Sequence, residues 1–378
     1  MKSKGLRLAK LLLIFAVLAS ASTVSYAHSA SSGYIDLEQS PFAPLSRAVG
    51  LAWTGDGFIA SDRANLSAAE LVMISADGKS VTPYVPSFKT VGGSMEDYIA
   101  VSDGREGFPM GYYVLSFDSV YRIDPKDNSV SLFSTPEKGQ QMSYVNFDGV
   151  GTWGFQLLSL YQNGDVWSIN STGSATKIAS VGRGQNPENV VVAPMTFGSF
   201  GGDLIISEEI GNHSVLAISP ANRTEEITLA RFPAEAPERV IVLQKNSDLY
   251  IGQYDKGTIT RFPASDFATY TSTTSLLVIT EGESGQNGSM DLLTASGNNV
   301  SVTTIFLQNN PHFEAAVFVN VNSTNESTAA SSSTTLPLLT SSILSSQTPN
   351  QNSGILIVAV AIIVTVALAA AALKLRKK

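Results

Sequence analysis

The most regular pattern of hydrophobic and polar positions lies between Pro187 and Phe232. Four short apolar runs, rich in β-branched residues, occur there, and turns rich in glycine, asparagine and proline separate them. The runs are Val190–Val192, Leu204–Ile206, Val215–Ile218 and Ile227–Leu229. Runs of this length and spacing predict one antiparallel, four-stranded meander. Because so small a sheet with two hydrophobic faces is not stable alone, the pattern also predicts further copies that stack against it.

Related segments recur along the chain at intervals of about 45 to 50 residues, a period found in propeller blades. Each has a strand with alternating apolar positions that leads into a turn containing Asp, Asn, Gly or Pro. These third strands begin at Leu71, Val120, Val166 and Val215, with a looser fifth copy at Ile259. A candidate second strand precedes each of them, at Phe58, Tyr112, Leu157, Leu204 and Leu249.

A sixth and weaker unit runs from Met290 to Val319, and Tyr34–Leu37 is expected to add a strand that closes the ring. The repeats therefore predict an all-β fold, a six-bladed β-propeller over residues 33–320. An array of β-sandwiches is the structural alternative, but it does not predict one repeated meander at this period.

The repeated unit resembles the NHL and SMP-30/gluconolactonase-like group of six-bladed β-propellers. Pro187-Glu188-Asn189 and Pro237-Glu238-Arg239 resemble the P-[DN]-G turn that opens blades in that group, with Asn189 and Arg239 in place of its glycine. In the SMP-30-like enzymes, residues at the starts of such strands hold a divalent metal and one of them acts as a base. This chain lacks the Glu-Gly-Pro opening of those enzymes in its first blade, which weighs against lactonase activity.

Both ends of the chain carry apolar segments. Residues 1–27 combine a basic start, an apolar core and a small-residue exit, the pattern of a secretory signal peptide cleaved near Ala27. An uncleaved anchor is the alternative, but about ten apolar residues are short for a bilayer. Residues 354–373 carry no charge and precede the basic tail 374–378, so they predict one transmembrane helix with a cytoplasmic tail.

The segment between body and membrane, residues 321–353, is rich in Ser, Thr and Asn and predicts a flexible stalk. Eight asparagines lie in the N-x-[ST] acceptor pattern for glycosylation. They are Asn65, Asn170, Asn212, Asn222, Asn287, Asn299, Asn322 and Asn325. Together these features predict a single-pass glycoprotein of the cell membrane with an extracellular body.

Charge excludes one class of partner. Four of the 24 basic residues lie in the signal peptide and four in the tail, and neither segment contains an acid. The exported part therefore has 16 basic against 32 acidic residues, a net charge of −16. Such a surface repels nucleic acid and favours cations or basic partners. The chain has no cysteine, so disulfides and thiol chemistry are absent.

Catalytic residue types are scarce. The three histidines, His28, His213 and His312, are far apart in sequence, and we expect neither a His-based metal cluster nor a Ser-His-Asp triad. The neighbouring carboxylates Glu208 and Glu209 are expected on opposite faces of a strand edge, in contact with solvent.

One set of carboxylates is a candidate site. Glu96, Glu188 and Glu238 are expected at equivalent starts of innermost strands, with Asp291 in the sixth unit. Ser46 and Ser143 are expected at the two remaining positions. Because innermost strands line the central channel, these residues would form a ring at one mouth. Crowded carboxylates need a cation or raised pKa values, and calcium is the expected ion. The alternative is a wide, wet mouth with separately solvated acids.

Two function classes follow from the sequence. The first is a membrane-anchored cell-surface propeller that acts as a binding or interaction module for an extracellular protein or glycan. The second is a metal-dependent, calcium-using hydrolase or lactonase of the SMP-30-like type. The scarcity of catalytic groups favours the first, although fold alone does not decide activity.

Overall fold

The described residues form six β-sheets, each with four antiparallel strands, and one sheet carries an added two-residue strand. The computed structural model describes residues 27–28, 37–65, 68–90, 98–182, 186–232, 236–270, 275–282, 287–309 and 312–321. The predicted stalk after Val321, membrane span and tail lie outside these ranges, as do residues 1–26 of the predicted signal peptide. Within the same ranges, no helix is long and apolar enough to span a bilayer.

Strands are numbered in chain order, beginning with β1 (Ala27–His28) and β2 (Ser40–Pro44), which both join sheets built mainly from the end of the chain. Blades 1 to 4 each use four consecutive strands. Blade 1 consists of β3 (Ala48–Trp53), β4 (Gly57–Asn65), β5 (Ala68–Ser75) and β6 (Val81–Pro83). Blade 2 consists of β7 (Ile99–Ser102), β8 (Gly111–Ser116), β9 (Ser119–Ile123) and β10 (Val130–Ser134). Blade 3 consists of β11 (Met142–Phe147), β12 (Leu157–Tyr161), β13 (Asp165–Ile169) and β14 (Ala175–Ser180). Blade 4 consists of β15 (Pro187–Val192), β16 (Leu204–Glu208), β17 (Ser214–Ser219) and β18 (Asn222–Arg231).

Blades 5 and 6 exchange strands. Blade 5 consists of β19 (Ala236–Val242), β22 (Ser275–Glu281), β23 (Asn287–Ser296), β24 (Asn299–Asn309) and the parallel strand β1. Blade 6 consists of β25 (Phe313–Asn320), β20 (Ser247–Gln253), β21 (Thr258–Phe262) and β2. The chain thus leaves blade 5 after its innermost strand, builds a hairpin of blade 6, and then returns.

This exchange corrects the sequence prediction for the end of the ring. The strands predicted at Leu249 and Ile259 exist, but they belong to blade 6 rather than to a fifth consecutive unit. Met290 lies on the third strand of blade 5, and Ser40–Pro44 supplies the strand that closes the ring. Of the predicted closing strand Tyr34–Leu37, only Leu37 is among the described residues, and it is not in a strand. The physical reason is that an amphipathic hairpin can pair with either neighbouring sheet, and its hydrophobic pattern does not specify which.

The packing explains why every blade has two apolar faces. Along β17, Val215 and Ala217 contact the core between blades 4 and 5, whereas Leu216 and Ile218 contact the core between blades 3 and 4. Successive side chains of a strand point to opposite faces, so alternation fills two cores from one strand. Six such cores join the six blades, and the core between blades 6 and 1 closes the ring.

Helix is almost absent from the part of the chain that the structure describes. It contains the short helix α1 (Ala264–Phe267) and two 3-10 turns, Arg105–Gly107 and Gly198–Phe200. The predicted all-β, six-bladed propeller is therefore confirmed for the described residues.

Candidate functional site

The innermost strands β3, β7, β11, β15, β19 and β25 contact one another around a central channel. Their first residues meet at one end, which we call the acidic mouth because Glu188, Glu238, Glu281 and Glu314 lie there. Their last residues meet at the other end, which we call the apolar mouth because Trp53, Val101, Val191, Val242 and Val317 line it.

A β-bulge near the start of the innermost strand marks the same level in five blades. The residues at this level are Val49 in blade 1, Ser143 in blade 3, Glu188 in blade 4, Glu238 in blade 5 and Glu314 in blade 6. Ser143, Glu188 and Glu238 thus lie at equivalent strand positions, and their role as a metal site stays a prediction. Bulges often re-aim a side chain, and here they place three carboxylates on consecutive blades.

Two predicted members lie elsewhere. Asp291 sits on β23, the third strand of blade 5, because the strand exchange removes it from the innermost position. There it accepts hydrogen bonds from the hydroxyls of Ser289 and Thr304. In blade 1 Val49 takes the level expected for Ser46, and Glu96 lies outside the described residues.

The centre of the channel holds Arg239, one of the largest fully buried side chains of the propeller, at 2% exposure. Its guanidinium carbon lies 3.6 Å from the ring centre of Tyr98 and 4.9 Å from that of Tyr144. Its Nε donates to the carbonyl oxygen of Glu314 at 2.6 Å, and its Nη2 lies 3.6 Å from Oε1 of Glu238. The Tyr98 hydroxyl donates to the same Oε1 at 3.1 Å. This arrangement, the Arg239 layer, links residues of four blades and gives Glu238 a buried cationic partner.

Glu188 and its neighbours form a second set of contacts on blade 4. Nδ2 of Asn186 donates to Oε1 of Glu188 and to Oε2 of Glu209, both at 2.5 Å. Glu208 is buried, contrary to the solvent contact expected from the sequence, and the Ser214 hydroxyl donates to it. Burial raises the pKa of Glu208, and the Ser214 hydrogen bond partly offsets that rise.

Blades 5 and 6 bring a histidine to the acidic mouth. His312 Nε2 lies 2.7 Å from Oε1 of Glu314 and 3.2 Å from Oε2 of Glu281, and its Nδ1 lies 3.4 Å from Oδ2 of Asp255. One ligand atom from each of Glu281, His312 and Glu314 lies within 4.8 Å of the others, so these three residues could hold a metal ion. Sequence reasoning missed this group of residues. The residues are separated in sequence, and only strand pairing makes them neighbours.

The charge of His312 follows from these neighbours. Burial alone would lower the pKa of His312. The hydrogen bond to Glu314 and the charges of Glu314, Glu281 and Asp255 outweigh burial and raise that pKa to about 9. The imidazolium and the guanidinium of Arg239 thus compensate the crowded carboxylates at this mouth.

The apolar mouth opens into a cavity of about 440 Å³ that all six innermost strands line. Most of its side chains are aliphatic, and those with polar groups are Trp53, Tyr144, Asn146 and Gln244. Tyr144 also packs on Arg239, which places the Arg239 layer at the inner end of the cavity. Burial raises the pKa of Tyr144, although the nearby Arg239 charge opposes the shift, so its hydroxyl stays neutral.

Exposed apolar side chains flank this opening. Met110, Phe155 and Met195 lie in the loops that follow the innermost strands of blades 2, 3 and 4, with exposed fractions of 60%, 42% and 65%. Large exposed apolar groups near a concave opening are typical of ligand-binding or interaction surfaces.

The structure describes six of the eight predicted acceptor asparagines. Asn170, Asn212, Asn222 and Asn299 are exposed, at turns or at the first residues of strands. Asn65 and Asn287 lie at strand ends, while Asn322 and Asn325 fall outside the described residues. Glycosylation stays a prediction.

The fold and the closed channel define this chain as a six-bladed β-propeller. No protein-family profile matches the sequence, and no curated protein is significantly similar to it. Among solved structures, virginiamycin B lyase from Staphylococcus aureus is similar with 14% identity and a TM-score of 0.41, covering 73% of this chain and 88% of that one. A putative 6-phosphogluconolactonase from Bacteroides uniformis has 12% identity and a TM-score of 0.44, covering 71% and 73%. YCF48 from Cyanidioschyzon merolae has 9% identity and a TM-score of 0.39, covering 72% and 88%.

Proposed function

We propose that this protein is a cell-surface binding module whose channel takes a small, mainly apolar ligand through the apolar mouth. The observation that carries the proposal is the cavity of about 440 Å³, lined by the innermost strands of all six blades. Ligand sites are usually concave, mainly apolar and about 300–1,000 Å³, with a few polar groups that fix orientation. Asn146 and Gln244 offer such groups here.

Binding is favoured over catalysis at this mouth by the chemistry of the lining. Among the described lining residues there is no Ser, Thr, Cys, Lys, His, Asp or Glu. Tyr144 is the one titratable side chain among them, and it is neutral. A nucleophile paired with a base, or an acid paired with a base, is what most hydrolytic mechanisms require.

Gly149 offers a way to block the cavity without disturbing the fold. It lines the cavity, is exposed, and a Cβ built on it would meet no atom within 4 Å. A screen of small apolar compounds with the purified full-length chain should give ligands that raise its melting temperature. Gly149→Trp should abolish that rise while keeping the wild-type β-type circular dichroism spectrum.

Leu132→Trp is the matched control, because Leu132 is 61% exposed on the outermost strand of blade 2 and distant from the channel. It should respond to ligands as the wild type does. A screen without hits, or equal responses of both tryptophan variants, would contradict the proposal.

The surface location of the module rests on the sequence. Residues 1–27 would direct export, residues 321–353 would hold the propeller away from the bilayer, and residues 354–373 would anchor it with the tail 374–378 inside. An extracellular body is compatible with the exposure of Asn170, Asn212, Asn222 and Asn299 as sugar acceptors.

A second candidate function is a metal-dependent hydrolase or lactonase at the acidic mouth, for which calcium is the ion expected from the sequence. The convergence of Glu281, His312 and Glu314 is the observation that favours it. Assay of the full-length chain against a lactone panel, with and without added divalent ions, tests this candidate. Metal-dependent turnover would support it, and its absence would leave the binding role.

A further inference from the structure

The strand exchange brings two glutamates and a histidine together at the boundary of two blades. Glu281 ends the second strand of blade 5, Glu314 is the second residue of the innermost strand of blade 6, and His312 immediately precedes that strand. Glu281 and Glu314 are 4% and 6% exposed, whereas the His312 side chain is 24% exposed. Two side chains of the cluster are thus buried, and the histidine is partly exposed.

The distances suit a small ion. Two ligand atoms bound to one zinc ion at tetrahedral angles lie about 3.3–3.6 Å apart, since zinc bonds to nitrogen and oxygen are about 2.0–2.2 Å long. The His312 Nε2 to Glu281 Oε2 distance is 3.2 Å, and the distance to Glu314 Oε1 is 2.7 Å. The carboxylate oxygens of Glu281 and Glu314 lie within 4.8 Å of each other. To bind an ion between them, Glu314 must move away from Nε2, which it now contacts at hydrogen-bond distance.

The other ring nitrogen of His312 is already oriented. Nδ1 faces Asp255 at 3.4 Å, and a histidine that binds a metal through one nitrogen usually donates the other N–H to a carboxylate or carbonyl. The Tyr254 ring stacks on the imidazole at 4.6 Å between centres, and the Tyr254 N–H donates to the His312 carbonyl at 2.8 Å. These contacts hold Nε2 toward the two carboxylates.

We infer that Glu281, His312 and Glu314 form a site for a divalent transition metal of the zinc class, with Asp255 as the residue that orients the histidine. Imidazole favours zinc, copper, iron or nickel, whereas calcium takes six to eight oxygen ligands. Three protein ligands leave a coordination position open toward the mouth for water or a ligand. At neutral pH the metal must displace the proton on His312, as metals generally do at such ligands.

The site would also stabilise the exchange between blades 5 and 6, because its ligands come from both. The inference does not depend on the proposed ligand cavity, which lies at the opposite mouth. A structural metal and an open catalytic metal both fit these three ligands.

The test uses the full-length chain, purified in detergent with an affinity tag that contains no histidine and stripped of metal with a chelator. Zinc is then titrated and followed by calorimetry. We expect one equivalent of zinc to bind and the melting temperature to rise, with no competition from a large excess of calcium.

Four variants locate the site. His312→Ala and the isosteric Glu314→Gln should remove measurable zinc binding, and Asp255→Asn should weaken it by roughly 10- to 100-fold. His213→Ala is the matched control and should bind zinc as the wild type does, because His213 lies on blade 4. Glu314→Gln keeps the shape of the side chain, so its result stands even if His312→Ala fails to fold.

Cobalt substitution adds a spectroscopic readout. Co²⁺ bound to mixed nitrogen and oxygen ligands should give visible absorption bands in the wild type and in His213→Ala, but not in Glu314→Gln. Absence of zinc binding at millimolar concentration, effective competition by calcium, or equal affinities of His312→Ala and His213→Ala would overturn the inference.

Discussion

At the scale of single residues, the bulge position of each innermost strand determines the chemistry of the acidic mouth. Val49 and Ser143 occupy this level on one side of the channel, and Glu188, Glu238 and Glu314 occupy it on three consecutive blades. Among the five blades in which the structure describes this level, the acids therefore lie on one side of the channel. Crowded carboxylates need nearby cations, and buried Arg239 and His312 supply them.

Arg239 shows how one residue can have a role that its type alone does not indicate. In the sequence it stands where the resembled turn has glycine. In the structure its planar guanidinium stacks on two tyrosines and contacts Glu238 and the Glu314 backbone. A planar, stacked cation of this kind is not replaceable by lysine.

The first prediction concerns this residue. Arg239→Met should lower the free energy of unfolding by about 3–5 kcal/mol, because it removes the cation from a buried ion pair. Arg239→Lys should restore little of the loss, since an ammonium group cannot stack and donate in the same geometry. Chemical denaturation followed by circular dichroism measures both values.

Arg105→Met is the control, because it replaces an arginine that lies at the surface rather than in the Arg239 layer. Arg105 pairs with Asp103 at the surface, with the two side chains 83% and 56% exposed, and exposed pairs contribute about 0–1 kcal/mol. A loss below 1 kcal/mol for Arg239→Met would mean that the Arg239 layer does not stabilise the propeller.

At the scale of elements, the sequence predicted the positions of the strands more accurately than it predicted which strands pair. The second and third strands predicted for blades 1 to 4 are present, as β4 and β5, β8 and β9, β12 and β13, and β16 and β17. Their pairing is also in the predicted order, because short turns leave antiparallel neighbours no other choice. The hairpin of β20 and β21 is likewise predicted, but it pairs with β25 and β2 rather than with β19.

The second prediction tests that exchange. Ser247 pairs with Asn320 in the structure, whereas consecutive pairing of β19 and β20 would instead place Ser247 beside Val242. Because the chain has no cysteine, an engineered pair gives a clean signal. Ser247→Cys with Asn320→Cys should form a disulfide under mild oxidation, and Ser247→Cys with Val242→Cys should not.

Mass spectrometry of non-reduced peptides identifies the cross-link. A disulfide forms only where the two Cα atoms are about 4.4–6.8 Å apart, so the cross-link shows which strands are neighbours. The reverse outcome, with the Val242 pair linked and the Asn320 pair free, would show that blades 5 and 6 each form from consecutive strands.

At the scale of the whole molecule, the ring is held by six apolar cores and closed by a strand from near the start of the described chain. Ser40–Pro44 supplies the outermost strand of blade 6, and the core between blades 6 and 1 includes Ala43 and Leu45. Closure removes the exposed faces that a stack of four-stranded sheets would otherwise leave. It also separates two mouths of opposite chemistry, one acidic and one apolar.

The third prediction concerns the orientation of the molecule in a membrane. The basic tail 374–378 should lie inside the cell and the acidic propeller outside, because basic residues beside a membrane span stay on the cytoplasmic side. Protease added to intact cells should digest the propeller and spare an epitope tag placed after Lys378. Removal of the tag from sealed cells would reverse the topology, and a propeller protected until lysis would exclude a surface location.

The sequence by itself determined the class of fold, because alternating apolar positions and turn residues at a regular period allow little except stacked four-stranded sheets. It also indicated Glu188 and Glu238 at the start of innermost strands, since those positions recur within the repeat.

Only the tertiary structure decided the partners of the hairpin β20–β21. That pairing in turn decided the position of Asp291. It alone brought Glu281, His312 and Glu314 together and placed the guanidinium of Arg239 over the rings of two tyrosines. The physical reason is that local patterns are set by steric preference and by which face of a strand is buried. Contacts between distant segments depend instead on which of several comparable sheet edges each strand joins.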